Sequence, residues 1–146
     1  MFLLAKIIVA DKMEDEVIQK LQTIGEVVNF PPDLRSSLKD ADILIVRSAT
    51  KVDEEFLSHA NSLKIVARAG VGLDNIDAAA CKARNIEVIN TPGASTNAVA
   101  ELTIAMMIGI MRKIGFLHSK LKEARWEKKA GMGNEIAGKT LGIIGM

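Results

Sequence analysis

The chain has 146 residues, of which 49% are hydrophobic and 25% are charged, a composition that suits one soluble globular domain with a short appendage. Nineteen basic and eighteen acidic residues give a net charge of +1, and no run of about five like charges occurs, so we expect neither nucleic acid nor a membrane surface as a partner. The single cysteine, Cys81, excludes an internal disulfide and favours a reducing compartment, so we expect a cytoplasmic protein.

Strands and helices alternate along the first part of the chain. Apolar and β-branched runs predict strands at residues 4–10, 26–30, 43–46, 63–67 and 87–89. Amphipathic spacing and turn residues predict helices at about residues 13–24, 33–39, 54–60 and 75–84. This alternation predicts a parallel sheet with right-handed crossovers, and residues 1–92 are therefore predicted to form one α/β domain.

The pattern changes after residue 92. Residues 98–114 are apolar on nearly all sides, which predicts a long helix that is buried or packs against a partner. Its uncharged stretch, residues 102–111, is shorter than the roughly 18 residues of a membrane span. A more polar helix at about 118–125 and a glycine-containing loop lead to residues 141–144, which are predicted to be a short buried strand.

Gly145 follows that last strand at the place of the first glycine in a Gly-x-Gly-x-x-Gly nucleotide-binding turn. The sequence ends at Met146, so the other glycines and the helix N-terminus that hold a pyrophosphate are not in it. Residues 93–146 are therefore predicted to be a crossover helix and the start of a truncated nucleotide-binding domain.

Three loops follow strands of the predicted sheet and could bind a ligand at its carboxyl edge. The loop after the third strand has two cations, Arg47 and Lys51, beside hydroxyl groups that include Ser48, and suits a carboxylate or phosphate. An ordinary solvated loop with a capping hydroxyl is an equal alternative.

The loop after the fourth strand contains Arg68, Gly70 and Gly72, and its glycines would let backbone N–H groups face an anion. The alternative is a left-handed glycine turn into a helix capped by Asp74 or Asn75. Residues 90–97 form the third loop, which either presents polar groups to a ligand or only caps the long helix.

Other residues give weaker signals. His59 and His118 are far apart in sequence, and no carboxylate is paired with either, so we do not expect them to be catalytic. Cys81 and the methionines of the long helix are expected to serve in packing. No residue cluster suggests a metal site.

Several segments together resemble the D-isomer-specific 2-hydroxyacid dehydrogenase family. They are residues 46–52, 67–77, 90–93, 97–101, 126–129 with Met132-Gly133, and 138–142. Arg-Ser-Ala-Thr-Lys and Trp-Glu-Lys-Lys resemble the members that act on phosphoglycerate. The resemblance implies a flavodoxin-like, doubly wound five-stranded substrate domain, a Rossmann domain inserted after it, and oxidation of 3-phosphoglycerate with NAD in serine biosynthesis.

The resemblance also implies roles for single residues. Arg47, Ser48 and Lys51 would lie on the phosphate side of the substrate. Gly70, Val71 and Gly72 would offer backbone N–H groups to the carboxylate, with Arg68 close by. The cofactor would approach Val71, Thr96, Val99 and Gly145, and the long helix would form the interface of a homodimer.

Two departures from the family pattern stand out: Gly93-Ala94-Ser95 replaces a Gly-Asn-Ser turn, and Ala130-Gly131 replaces a bulkier pair. The family's catalytic arginine, glutamate and histidine would fall beyond residue 146, so no catalytic residue is predicted here and the chain alone is expected to be inactive. Three alternatives stay open: a dehydrogenase for another D-2-hydroxy acid, a non-catalytic flavodoxin-like fragment that self-associates, and a regulator that dimerises with a full-length enzyme.

Overall fold

A computed structural model describes residues 4–144, and the chain divides into two compact units, one through Ser95 and one from Thr96. The first unit contains a five-stranded sheet. Its strands are β1 (Ala5–Val9), β2 (Gly25–Asn29), β3 (Ile43–Val46), β4 (Ile65–Arg68) and β5 (Glu87–Asn90). All neighbours pair in parallel in the order β2-β1-β3-β4-β5. This is the flavodoxin-like order, and it confirms the predicted fold class.

The helices of the first unit are shorter than the predicted segments. They are α1 (Asp15–Gln22), α2 (Leu34–Ser37), α3 (Glu54–Leu57) and α4 (Ala78–Ala83). An aspartate caps three of them: the carboxylates of Asp33, Asp53 and Asp77 each accept from the N–H three residues later, at 2.9 to 3.1 Å. The prediction that Asp74 or Asn75 caps α4 is therefore wrong, because the helix begins three residues beyond Asn75.

The sheet is covered on both faces, as a doubly wound fold requires. Ile7 and Val9 pack against Ile18 of α1 on one face. On the other face, residues of β1, β3 and β4 pack with α2, α3, α4 and their flanking turns in the larger core. Cys81 is fully buried in that core, as predicted, and burial followed by the nearby charge of Asp77 raises the pKa of its thiol.

The second unit begins with α5 (Thr96–Met111) and α6 (Ile114–Lys122). The predicted helix boundaries are shifted here, because Lys113 adopts a left-handed conformation with φ of 51° and ends the first helix. Asn134 N donates to the carbonyl of Met111 at 2.8 Å, which satisfies one acceptor of the last turn of α5. No α5 side chain is buried, so burial, the first of the two predicted alternatives, does not hold for the described residues, and packing against a partner stays a prediction.

The predicted strand at residues 141–144 is also wrong. These residues have no regular secondary structure, and Leu141, Ile143 and Ile144 are exposed. A strand needs a neighbour to receive its backbone hydrogen bonds, and no residue within 4–144 pairs with this segment. Gly145 lies outside the described residues. Within the described chain, no helix has the length and apolarity to cross a membrane.

Candidate functional site

The carboxyl edge of the sheet forms a cavity of about 380 Å³ within the first unit. It lies beside the switch point between β1 and β3, which is where open parallel sheets bind ligands. Its walls come from the start of α1 and from the loops after β3, β4 and β5. The lining residues are Met13, Glu14, Val17, Arg47, Ala69, Gly70, Val71, Thr91, Ala94 and Ser95.

Three of the predicted substrate-binding residues, Arg47, Gly70 and Val71, line this cavity, and Ser48, Lys51, Arg68 and Gly72 are not in its lining. The side chain of Lys51 is 78% exposed, and its Nζ lies 3.1 Å from Asp53 Oδ2. Thr96 and Val99 lie in the first turn of α5, in the second unit.

The wall formed by Met13, Glu14 and Val17 was missed from the sequence. The loop after β1 opens at the same edge as the other three loops, so the rule that selected those loops could also have selected this one.

Asp11 follows β1 and anchors the loop after β3. It is only 6% exposed, and its Oδ2 accepts from Arg47 N at 2.5 Å and from Thr50 N at 3.3 Å. Its Oδ1 accepts from the Thr50 hydroxyl at 2.6 Å. Burial raises the pKa of Asp11, but the hydrogen bonds from Thr50 and Arg47 together outweigh that effect and lower it. Asp11 is therefore ionised at neutral pH. Sequence reasoning did not identify it.

Asn75 holds the same loop from the other side. Its Nδ2 donates to the carbonyl of Arg47 at 2.9 Å and to that of Thr50 at 2.6 Å. The buried Oδ1 of Asn75 has no partner among the described residues. The Arg47 side chain is also tethered, because its Nη1 donates to the carbonyl of Lys12 at 3.2 Å.

Arg68 joins the second loop to the first. Its Nε donates to the carbonyl of Arg47 at 3.3 Å, and its Nη1 donates to the carbonyl of Gly72. Its Nη2 lies 3.9 Å from Asp74, and the side chain is only 12% exposed. In this structure the Arg68 side chain therefore braces the two loops, and its predicted contact with the substrate stays a prediction.

The glycines after β4 lie close to the ends of neighbouring side chains. Neither Gly70 nor Gly72 has a left-handed φ, so the alternative of a left-handed glycine turn is wrong. A Cβ at Gly70 would lie 3.1 Å from Arg68 Nη1, and one at Gly72 would lie 2.6 Å from Asp74 Oδ1.

The backbone N–H groups of this loop differ in availability. Gly70 N donates to the carbonyl of Arg68 at 2.9 Å, and the predicted N–H contact from Gly70 to a ligand stays a prediction. Within residues 4–144, no acceptor is bonded to the N–H of Val71 or Gly72. The third loop braces this segment, since Asn90 Nδ2 donates to the carbonyl of Val71 at 2.6 Å and Thr91 N to that of Gly70 at 3.1 Å.

The cavity thus combines one cation, one carboxylate and several apolar side chains. Arg47 supplies the cation, Glu14 the carboxylate, and Met13, Val17 and Val71 much of the apolar surface. A few polar groups on a largely apolar wall are the usual composition of a small-molecule site, and the guanidinium suits a carboxylate. The described residues contain no group of three His, Cys, Asp or Glu side chains that could hold a metal ion.

Comparison with known proteins defines the class to which this fold and cavity belong. Residues 7–142 match the sequence model of the D-isomer specific 2-hydroxyacid dehydrogenase catalytic domain, and the chain belongs to this family. The resemblance inferred from the sequence motifs is confirmed.

Among the curated relatives, D-3-phosphoglycerate dehydrogenase from Methanocaldococcus jannaschii is 42% identical over 98% of this chain and 28% of its own length. Hydroxypyruvate reductase from Thermotoga maritima is 50% identical over 77% of this chain and 37% of its own length. The chain thus spans 28% and 37% of the lengths of these two relatives.

Solved structures give the same assignment. The NAD+-bound 3-phosphoglycerate dehydrogenase of Entamoeba histolytica is 38% identical, with a TM-score of 0.63 over 75% of this chain and 40% of that one. The TT0316 protein of Thermus thermophilus is 26% identical, with a TM-score of 0.82 over 91% of this chain and 46% of that one.

Proposed function

We propose that this chain holds the acid substrate in an NAD-dependent dehydrogenase that oxidises D-3-phosphoglycerate to 3-phosphohydroxypyruvate. The observation that carries the proposal is the cavity at the carboxyl edge of the sheet. Arg47 and Val71 both line this cavity, and the N–H of Val71 has no acceptor within residues 4–144. A guanidinium and a free backbone N–H are both donors that suit a carboxylate. The phosphoglycerate dehydrogenases among the relatives support the choice of substrate.

Each part of the cavity has a distinct task in this proposal. Arg47 binds an anionic group of the substrate and fixes its orientation. The apolar side chains of Met13 and Val17 displace water from the same space, which strengthens the charged contact. Ser48 and Lys51 are expected to meet the phosphate if it extends out of the cavity toward the loop after β3.

NAD would accept the hydride that leaves carbon 2 of the substrate. Val71 fits a contact with a planar cofactor ring, because its apolar side chain is 51% exposed at the cavity. Thr96 and Val99 remain predicted cofactor contacts, as does Gly145. We expect the 146-residue chain alone to form no NADH, because the described cavity lining includes no histidine to take the hydroxyl proton. Absorbance at 340 nm above a blank would contradict this expectation.

A second candidate function is the reduction of an unphosphorylated acid such as hydroxypyruvate. Glu14 lines the cavity with Arg47, and Lys51 is paired with Asp53 outside the lining. A phosphate dianion beside the Glu14 carboxylate would be repelled, whereas a small monoanion would be repelled less. The similarity to the Thermotoga hydroxypyruvate reductase favours the same alternative.

Calorimetric titration of the chain with 3-phosphoglycerate, D-glycerate and hydroxypyruvate tests both candidates. Binding of 3-phosphoglycerate at least about tenfold tighter than D-glycerate supports the first, since each good ion contact contributes about 1.4 kcal/mol or more. Preference for the unphosphorylated acids supports the second. No heat from any acid contradicts both.

A matched pair of variants localises the binding. Arg47→Met should abolish most of the acid binding, because it removes the only cation in the cavity lining. Arg35→Met removes the same charge from an exposed ion pair with Glu55 and should leave binding unchanged. Equal effects of the two substitutions would place the binding outside this cavity.

We also propose that the chain forms a homodimer through the predicted helix at residues 98–114. Exposed apolar side chains on α5 support this: Val99, Leu102, Ile104, Met106, Ile108 and Ile110. A contiguous apolar surface of this kind favours association. Sedimentation at micromolar concentration should show a dimer, which Leu102→Glu with Ile110→Glu should dissociate. His118→Glu, at an exposed position of α6, is the control, and a wild-type monomer would contradict the proposal.

A further inference from the structure

The loop that carries Arg47 is held by side chains from other elements. Both backbone groups of Arg47 and both of Thr50 are bonded in this way. Asp11 binds the two N–H groups, and Asn75 binds the two carbonyls. The loop shape therefore depends on a few polar contacts, whereas the strands beside it have full ladders of backbone hydrogen bonds.

We propose that Asp11 is the positioning residue of the substrate-binding loop, acting through the backbone of Arg47 and Thr50 and not by touching the ligand. The inference rests on the proposed function, because it concerns how Arg47 is presented to the acid. Asp11 is not in the cavity lining, and its oxygens are occupied by Arg47 N, Thr50 N and the Thr50 hydroxyl.

Asp11 is well placed for this task because it is attached to a rigid element. It follows β1, an interior strand that pairs with β2 on one side and β3 on the other. The preceding residue, Ala10, continues the pairing through its N–H, which donates to the carbonyl of Ile45 at 2.9 Å. The sheet thus fixes the position of the Asp11 carboxylate, and the hydrogen bonds to this carboxylate fix the backbone of the loop that carries Arg47.

The contact leaves the positive charge of Arg47 available. Asp11 accepts from the main-chain N–H of Arg47, and the guanidinium is tethered only to the neutral carbonyl of Lys12. Within residues 4–144, no carboxylate forms an ion pair with the Arg47 guanidinium. A buried negative charge therefore orders the loop without neutralising the cation that meets the substrate.

The choice of aspartate follows from the donors around it. All three groups that face the carboxylate donate hydrogen bonds, so an acceptor-only side chain fits. Asparagine would keep the size and one acceptor oxygen, but its NH₂ would face a donor. The Asp11→Asn substitution should therefore keep the loop only partly ordered, and Asp11→Ala should leave it without this support.

The test compares Asp11→Ala, Asp11→Asn and Glu26→Gln in the full 146-residue chain. Glu26 is exposed near the start of β2, at the edge of the sheet opposite the cavity, and makes no ion pair or side-chain hydrogen bond within residues 4–144, so its change to Gln is a matched charge control. Hydrogen exchange of the Arg47 and Thr50 amides reports the loop without any ligand. Calorimetry with 3-phosphoglycerate, or with the unphosphorylated acid that binds best, reports the site.

In Asp11→Ala we expect exchange at both amides to accelerate about tenfold or more, and acid affinity to fall by about the same factor. Asp11→Asn should recover part of both losses, and Glu26→Gln should change each less than about twofold. Should Asp11→Ala not fold, Thr50→Ala removes one of the three bonds and Thr50→Ser keeps it. The Thr50→Ser chain should then bind the acid, and the Thr50→Ala chain should bind it more weakly.

Unchanged acid affinity in a folded Asp11→Ala or Thr50→Ala chain would overturn the inference and leave Asp11 a structural residue only. Unchanged amide exchange would overturn it as well. A wild-type chain that binds none of the acids would contradict the proposed function and with it this inference. If the wild-type chain binds an acid and the Asp11→Ala chain binds it equally well, only the inference is contradicted.

Discussion

The two edges of the sheet each carry an aspartate that joins neighbouring strands, and the two aspartates differ in what they hold. At the amino edge, Asp42 Oδ2 accepts from Lys6 N at 2.9 Å and Oδ1 accepts from Lys64 Nζ at 2.8 Å. At the carboxyl edge, Asp11 is more deeply buried and holds the loop of residues 47–50. Hydrogen bonding holds the pKa of both carboxyls below the ordinary value, although burial raises it.

The difference shows how one fold separates stability from function. Asp42 reinforces strands that already share backbone hydrogen bonds, and one of its partners is a lysine in solvent. Asp11 gives a defined shape to a loop that has little of its own. A change at the amino edge should therefore affect only stability, whereas a change at the carboxyl edge should affect stability and ligand binding together.

The largest expected effect is from Asp11→Ala, which should lower the free energy of unfolding by about 3 kcal/mol, because three donors of partly buried hydrogen bonds lose their charged acceptor. Urea unfolding followed by circular dichroism measures it. A loss smaller than that of Asp42→Ala would reverse the ranking of the two edges.

Arg68→Met should come next, with a loss of about 2 kcal/mol, because the carbonyls of Arg47 and Gly72 each lose a charged donor. It should also weaken acid binding, since both anion-facing loops lose their connection. Arg35→Met, which breaks an exposed ion pair, should change stability by less than about 0.5 kcal/mol. Stability equal to that of this control would show that the Arg68 bridge contributes nothing.

Asp42→Ala should lower the unfolding free energy by about 1 kcal/mol and leave acid affinity unchanged. Its bonds to Lys6 N and Lys64 Nζ are partly open to water, which reduces their contribution. Calorimetric titration of the same variant measures its acid affinity. A fall in acid affinity together with stability would contradict the distinction between the two edges.

Acid should weaken both edges. The folded-state pKa values of Asp11 and Asp42 are lowered, so their contribution is present above the unfolded value of about 3.9 and is lost as pH falls through the folded values. Urea unfolding should show a lower free energy of unfolding at pH 3 than at pH 6, with part of the difference from this source. The chain with both aspartates replaced by alanine should lose less unfolding free energy between pH 6 and pH 3 than the wild type. An equal loss in the two chains would assign the acid sensitivity to other groups.

Lys51→Met should have the smallest effect on stability, below about 0.5 kcal/mol, because its ion pair with Asp53 is exposed. Its value is in distinguishing substrates. A selective loss of 3-phosphoglycerate affinity, with D-glycerate affinity retained, would place the phosphate beside Lys51. Equal affinity for 3-phosphoglycerate in the variant and the wild type would favour the unphosphorylated acid.

The strands were predictable because each is a short apolar run between turn residues, and their order followed from the family resemblance. Residues 141–144 have the same composition but no strand beside them, so composition alone gave the wrong result there. The end of α5 was also missed, since nothing in the apolar pattern predicts that Lys113 adopts a left-handed conformation.

The site was predictable only to the level of its loops. Arg47 and Val71 could be selected because their loops follow strands, which is a local property. The contact that Asp11 makes could not be predicted, because its partner Arg47 is 36 residues away and only the register of β1 against β3 brings them together. The bracing contacts of Arg68 were missed for the same reason: its charge is visible in the sequence, but the carbonyls that accept from its guanidinium are not.

Cys81 gives the first unit a built-in reporter of its own opening. It is the only thiol in the sequence, it is fully buried, and its raised pKa keeps it in the protonated, unreactive form. A thiol reagent can therefore reach it only in molecules whose core has opened. The rate at which a thiol reagent labels Cys81 in native buffer therefore reports how often the core opens, without denaturant and without any engineered probe.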